Sequence, residues 1–372
     1  MTTGQSSRRW IQDVEDIEML TIGARLFGCG GGGDAGIGRW LARRYLGDRR
    51  LDVIDPLTVT AHGQAVALGI AGAADGPLSE QLPSGAEFPA AVERLASLGV
   101  DARAVVPLEV GGFNGLAAVA AAAQLGLPVL DADLSGRALP WLDQFSPAYS
   151  GVSMLPAVLV DAHGRTMVVG GATRAGPVPD ATAKAGSAAD GRYLEEIVRA
   201  VVRATGGWVV VSFSVGALSQ VADVVVPHVL LRASRWGRVL AAVQSLGELQ
   251  PYLDAEGGRV LGDGHVSAIH RPGVDGGRTG WFTVSASGPL LRVDMQNEFL
   301  AVAIDGCMAC TTPAVIGVLD ARTFLPLRAD QIRLAADVVV IALPPSLPRQ
   351  RDAYVERTGP ASFGLDFEAV LP

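Results

Sequence analysis

Apolar residues recur at helical spacing over residues 11–27, with Val14, Ile17, Leu20, Ile22 and Leu26 on one broad face, which predicts an amphipathic helix. The acids between Asp13 and Glu18 fall in its first turn, where the helix dipole favours negative charge. A glycine run, Gly30 to Gly33, stops it, and Asp34 is placed to cap a second helix over 35–45. The pattern then alternates. Residues 65–71 (AVALGIA), 104–110 (AVVPLEV) and 128–131 (PVLD) are short runs that are apolar throughout, as strands covered on both faces are. Between them lie helical stretches over 88–98 and 115–125. Strands alternating with helices predict an α/β domain with a mostly parallel sheet. After about residue 156 the texture changes. AVLVDAHGRTMVVGG, WVVVSFSV, HVSAIHRP, GWFTVSASG and LLRVDMQNEFLAVAIDG are strand-like runs broken by Gly, Asp and His turns, with one helix expected over 191–204. A last buried strand is expected in DVVVIALPPS. The expectation is therefore an α/β domain over 1–160, followed by a β-rich (α+β) C-terminal domain over 161–372, built as a barrel or sandwich.

Composition supports this division, because 372 residues are long for one core and nearly half are hydrophobic. The 46 glycines and 22 prolines are spread between apolar runs and read as turns. The net charge of −8, with a single basic concentration at RWLARRYLGDRR (39–50) that reads as a solvated helix face, excludes a nucleic-acid groove. No run reaches the ~20 apolar residues of a membrane span, and the N-terminal stretch lacks the apolar core of a signal peptide. Three cysteines make no disulfide framework, so a reducing, cytoplasmic setting is expected. Whether the chain forms a homo-oligomer stays open.

Three clusters could carry chemistry. In FGCGGGGD the N–H groups of Gly30, Gly31, Gly32 and Gly33, with the helix N-terminus at Asp34, form a natural anion cradle; a Gly-rich connector between close-packed helices explains the run equally well. Cys29 favours the functional reading, since a helix dipole beside a thiol stabilises its thiolate. No strand leads into the loop and no Lys-Ser/Thr follows it, so neither NAD nor ATP is expected as a cofactor. Glu109 and Asn114 lie in EVGGFNG at a predicted strand end, and Asp131, Asp133 and Arg137 follow the next strand in DADLSGR. Ligands of α/β sheets gather at the carboxyl ends of strands, although turns with an Asn cap also look like this. The carboxylates and guanidinium could bind a divalent metal such as zinc, a polar heterocycle, or each other. Cys307 and Cys310 form a CxxC without further metal ligands nearby, and read as small residues in a β segment. His265 and His270, five apart on a strand, face opposite sides and do not predict a shared metal.

GCGGGGD, LPSGAEF (82–88), LEVGGFNG and above all LGLPVLDADLSGRALP resemble marker segments of the S-methyl-thiohydantoin desulfurase-like family, and QNEFLAVAIDG, TTPAVIGVLDARTFLPL and GPASFGLDF resemble its C-terminal domain. The resemblance spans nearly the whole chain. It implies a hydrolytic or desulfurising activity on a five-membered hydantoin or thiohydantoin ring, with a small cyclic amide or thioamide as partner. Two positions depart from the family pattern: Cys29 replaces a Thr-type residue, and Ala314 after Pro313 replaces a carboxylate. The chemistry expected is attack of Cys29 on ring carbon C2, with the glycine N–H groups stabilising the developing charge. Glu109 or Asp133 would act as acid or base, Arg137 would hold a carboxylate or carbonyl, and Asn114 would pair with the ring amide. A variant replaces the thiol with a metal-bound water held by Asp131, Asp133 and a histidine. The alternative of another class is a non-catalytic ligand-binding subunit or sensor of a hydantoin-type pathway.

Overall fold

The computed structural model describes residues 9–11, 13–72, 81–170, 183–271, 279–285 and 288–372. The first two helices begin at side-chain caps. Asp13 accepts the Asp16 N–H of α1 (Val14–Phe27) at 2.9 Å, and Asp34 accepts the Gly36 N–H of α2 (Ala35–Leu46) at 2.7 Å. The glycine run between them is the expected helix–loop–helix junction.

The first sheet takes its strands from β1 (Arg9–Ile11), β2 (Leu51–Ile54), β3 (Gln64–Gly72), β4 (Ala102–Pro107) and β5 (Val129–Leu130); past the short β6 (Ala132–Asp133) it continues with β7 (Ala157–Asp161), β8 (Thr166–Val169) and β9 (Trp208–Ala217). Their order is β1-β2-β5-β4-β3-β9-β7-β8. The four strands β2, β5, β4 and β3 run parallel, and β1, β9, β7 and β8 flank them with antiparallel pairings. Burial alternates with period two and fills both faces: Val66, Leu68 and Ile70 of β3 point into one core, Ala65 and Ala67 into the other. On the first face lies α4 (Phe113–Leu125), buried nearly all round, as its alanine-rich sequence allows; α3 (Glu87–Ser97) packs beside it. On the other face α5 (Ala183–Ala204) crosses the sheet.

The WVVVSFSV run, placed by texture with the second half, is β9 and lies between β3 and β7 of the first sheet. After β10 (Val226–Pro227), a short strand paired with β6, three helices were not foreseen in that half: α6 (Val229–Ala242), α7 (Leu246–Ala255) and α8 (Arg351–Thr358). α6 has helical apolar spacing of its own and packs along α1, so its helix is a local as well as a tertiary outcome.

Beyond residue 258 the chain is β-rich, as expected. Strands β11 (Arg259–His270), β12 (Gly280–Ser285), β13 (Leu291–Met295), β14 (Phe299–Ile304), β15 (Cys307–Thr311), β16 (Val315–Asp320) and β17 (Asp337–Leu343) form one antiparallel sheet in the order β15-β14-β13-β12-β11-β17-β16. The sheet curls as a half-barrel around its own core of Phe282, Phe299, Ile316 and Val340. The glycine loop sits at the seam between the two sheets. Cys29 O accepts the Phe299 N–H at 2.6 Å and Gly30 O accepts the Ala329 N–H at 2.9 Å. Arg137 reaches across the same seam to Ala314 O (2.7 Å) and Phe299 O (2.8 Å).

Candidate functional site

At the carboxyl ends of β3 and β4 the seam opens into a cavity of about 110 Å³. Its floor is the end of β3 and the Leu108-Glu109 pair beyond β4. Gly32 and Gly33 close one side, Asn297 and Glu298 from the β13–β14 turn close another, and Leu139 to Leu142 with Arg199 form the remaining wall. The site therefore lies at a strand-end crevice, as α/β sheets dispose their ligands.

Two carboxyl groups dominate it. Glu109 is buried; its Oε2 accepts the Leu139 N–H at 3.0 Å and its Oε1 accepts the Asn114 side-chain amide at 3.1 Å. Burial, with repulsion from Glu298 and Asp133, pushes its pKa up to about 8 against these two donors. Glu298 is equally buried, and its Oε2 has no hydrogen-bond partner among the described residues. Burial raises its pKa to about 7, opposed by the positive charges of Arg137 and Arg199. Both carboxyls are thus harder to ionise than an ordinary glutamate, and the charge of Glu298 adds to the burial that opposes ionisation of Glu109. Gly31 passes close beside Glu298: a Cβ there would lie 2.3 Å from Glu298 Oε1, so a side chain at this position would displace that carboxylate. The N–H groups of Gly32 and Gly33, both lining the cavity, have no hydrogen-bond partner among the described residues.

The structure brings together only part of the set expected from sequence. Glu109, Gly32 and Gly33 line the cavity as proposed. Cys29 does not. It is 1 % exposed, lines none of the cavities described, and burial raises its thiol pKa above the ordinary value, so the dipole argument for a reactive thiolate fails. Asn114 lines the cavity, but its amide is committed to Ile70 N–H and C=O and to Glu109, so it orients Glu109 instead of pairing with a ring. Asp133 is sealed, its oxygens taken by the N–H groups of Val110, Ser135 and Gly136. Arg137 is fully buried and spends its guanidinium on carbonyls of both halves, which leaves it no role as a substrate clamp.

Asp131 faces elsewhere: it accepts the Leu231 N–H and lies 3.5 Å from His228. With Asp133 turned inward, the proposed Asp131–Asp133–histidine metal set does not converge, and among the described residues no three His, Cys, Asp or Glu side chains are grouped as ligands. Asp34 is a helix cap paired with Arg328, and Gly30 and Gly31 face a neighbouring cavity that also holds Arg271 and Arg333. Cys307 is exposed and Cys310 buried on β15, both free thiols in a β segment as read.

Sequence reasoning missed Glu298, Glu195 and Arg199. Glu298 had a signal, a polar Gln296-Asn297-Glu298 triplet interrupting an apolar β run, which is where a turn faces a cavity. Arg199 and Glu195, one turn apart on a helix, carry no signal that separates them from any exposed ion pair.

Residues 15–171 match the S-Me-THD-like N-terminal domain, and residues 189–371 match the S-Me-THD-like C-terminal domain. The chain belongs to the S-Me-THD-like family. A crystal structure of a protein from Chromobacterium violaceum is similar over 98% of this chain and 99% of that one, with a TM-score of 0.75 at 24% identity, and shares the fold. No curated protein matches the chain. In this S-Me-THD-like protein the most specific marker segment, DADLSGRALP, is built into the seam through Asp133 and Arg137. Ala314, the departure that removes a carboxylate, is buried and offers its carbonyl to Arg137, away from the cavity lining.

Proposed function

We propose that this chain is a desulfurising hydrolase of a small cyclic thioamide or S-alkyl thiohydantoin, working by direct attack of water under acid–base control by Glu298 and Glu109. The observation that carries this is the pair of buried carboxyls on one cavity, one of them with an oxygen left unpartnered. Glu298, held toward ionisation by two guanidinium charges, takes a proton from water as the oxygen attacks ring carbon C2. Negative charge then develops on the ring, where the N–H groups of Gly32 and Gly33 stabilise it; one well-placed donor of this kind supplies roughly 3 kcal/mol. Glu109, the more basic group and the proton carrier at neutral pH, protonates the departing sulfur. The C–S bond breaks as the added hydroxyl becomes C=O, its proton passing to the ring nitrogen of an S-alkyl substrate or to the sulfur of a thioamide. The proton taken by Glu298 returns to Glu109, and the products are the hydantoin and a thiol or hydrogen sulfide, with no redox change.

The burial of Cys29 supports water over thiol as the attacking group. The test is a screen of hydantoin, 2-thiohydantoin and S-methyl-thiohydantoin for ring hydrolysis and for sulfide or methanethiol release, repeated with Glu298→Gln. Sulfur release that disappears in the variant is the expected result; release at the wild-type rate would remove Glu298 from the chemistry. Binding of such a ring without turnover would favour the non-catalytic sensor instead.

A further inference from the structure

Leu139, whose N–H meets Glu109, opens a wall, 139–142, that has no regular structure before the short 3-10 turn Leu142–Gln144. Such a segment does not hold its own geometry. Two side chains on α5 grip it. Glu195 Oε2 accepts the Leu142 N–H at 2.9 Å, and Arg199 donates through Nη2 to Pro140 O. The same guanidinium donates through Nη1 to Gly72 O at 3.4 Å, at the end of β3, and through Nε to Glu195 Oε1. Arg199 also lines the cavity, and its charge acts on Glu298.

We infer that Glu195 and Arg199 form a positioning clip: they fasten the 139–142 wall to β3 so that the Leu139 N–H stays on Glu109, while Arg199 keeps a positive charge on the Glu298 side of the cavity. The clip presupposes the acid–base roles given to Glu109 and Glu298 above. Its physical basis is that an N–H donated to a carboxylate is a strong bond only in good geometry, and that small displacements of catalytic groups are costly. Glu109 has two donors, Leu139 and Asn114, and the charges facing it come from Glu298 and Asp133, with Cys29 nearby. Glu298 is faced by Arg137 and Arg199. Loosening the wall thus removes one of the two hydrogen-bond donors that favour the ionised form of Glu109 among the described residues.

The test follows the carboxyl carbons of Glu109 and Glu298 by 13C NMR titration in the full chain, for wild type, Arg199→Ala, Arg199→Lys and Glu195→Ala, beside steady-state kinetics. In Arg199→Ala and Glu195→Ala the Glu109 midpoint moves up, and kcat falls on the order of 10- to 100-fold with KM little changed. Arg199→Lys keeps the charge but carries its three donors on one nitrogen, which cannot span the acceptors that Nε, Nη1 and Nη2 reach; it should hold the Glu298 midpoint while sharing the Glu109 shift. An unmoved Glu109 midpoint in these variants, folded by near-UV circular dichroism, would overturn the clip whatever the activity. If Arg199→Ala does not fold, Arg199→Lys and Glu195→Ala carry the same test. Full activity of Glu109→Gln and Glu298→Gln would sink the acid–base roles instead, a separate outcome from the titration.

Discussion

Two buried carboxyl groups on one cavity cannot both ionise cheaply, and this sets the pH behaviour at the residue scale. The reactive form has Glu298 ionised and Glu109 protonated, so kcat/KM should follow a bell whose two apparent values, near 7 and 8, belong to the pair. Glu109→Gln should lose the alkaline limb of that profile and lower kcat by roughly 10²–10⁴; an unchanged profile would contradict the assignment. Glu109 was legible in the sequence because it follows a strand whose apolar run is unmistakable. Glu298 was overlooked: the polar triplet Gln296-Asn297-Glu298 marks a turn, but nothing local shows that this turn faces a cavity whose other walls lie more than 90 residues away in the chain. Cys29 misled for a related reason: helix-end electrostatics are local and visible in sequence, whereas the Phe299 N–H on its carbonyl and the Ile316 N–H on its thiol come from residues about 270 positions and more away.

At the scale of elements, the DADLSGR segment acts as a bolt between the sheets. Asp133 gathers three backbone N–H groups at the end of β4, and Arg137 hands its guanidinium to β14 and to the residue before β16. Removing a buried charge that satisfies such partners costs roughly 3–5 kcal/mol. Arg137→Met should therefore lower the unfolding free energy by that much, read as a lower urea midpoint at an unchanged slope; a midpoint shift within experimental error would show that the seam holds without it. The segment was recognisable in sequence, but its function was misread, since a guanidinium at a strand end looks the same whether it meets a ligand or a carbonyl from the other half. Three of the four parallel strands, β3, β4 and β5, and α1 to α4 were readable from period alone, whereas β2, four residues long, went unread. α6 was passed over among β-branched runs, although its apolar spacing was present.

The whole molecule is more interlocked than the change of texture near residue 156 suggests. β9 supplies the antiparallel partner of both β3 and β7, so a fragment ending at residue 171 leaves two strand edges bare. Such a fragment should lack cooperative unfolding and native near-UV dichroism; a folded, monomeric fragment would refute this coupling. Global stability should also depend on pH with a definite sign. Glu109, Glu298 and Asp133, raised by burial to about 8, 7 and 7, bind protons more tightly folded than unfolded. Their contribution is intact below the ordinary carboxylate range and is lost as pH rises through 7 to 8, so Tm should fall from about pH 5 to about pH 9. A Glu109→Gln/Glu298→Gln double variant should flatten that slope.

The account stands or falls on which group in the seam does the work. The direct measurement is the initial rate of methanethiol release from S-methyl-thiohydantoin at neutral pH for Cys29→Ser and Glu298→Gln side by side. Retained turnover in Cys29→Ser with loss in Glu298→Gln is the predicted result. Loss in a folded Cys29→Ser with activity retained in Glu298→Gln would contradict it.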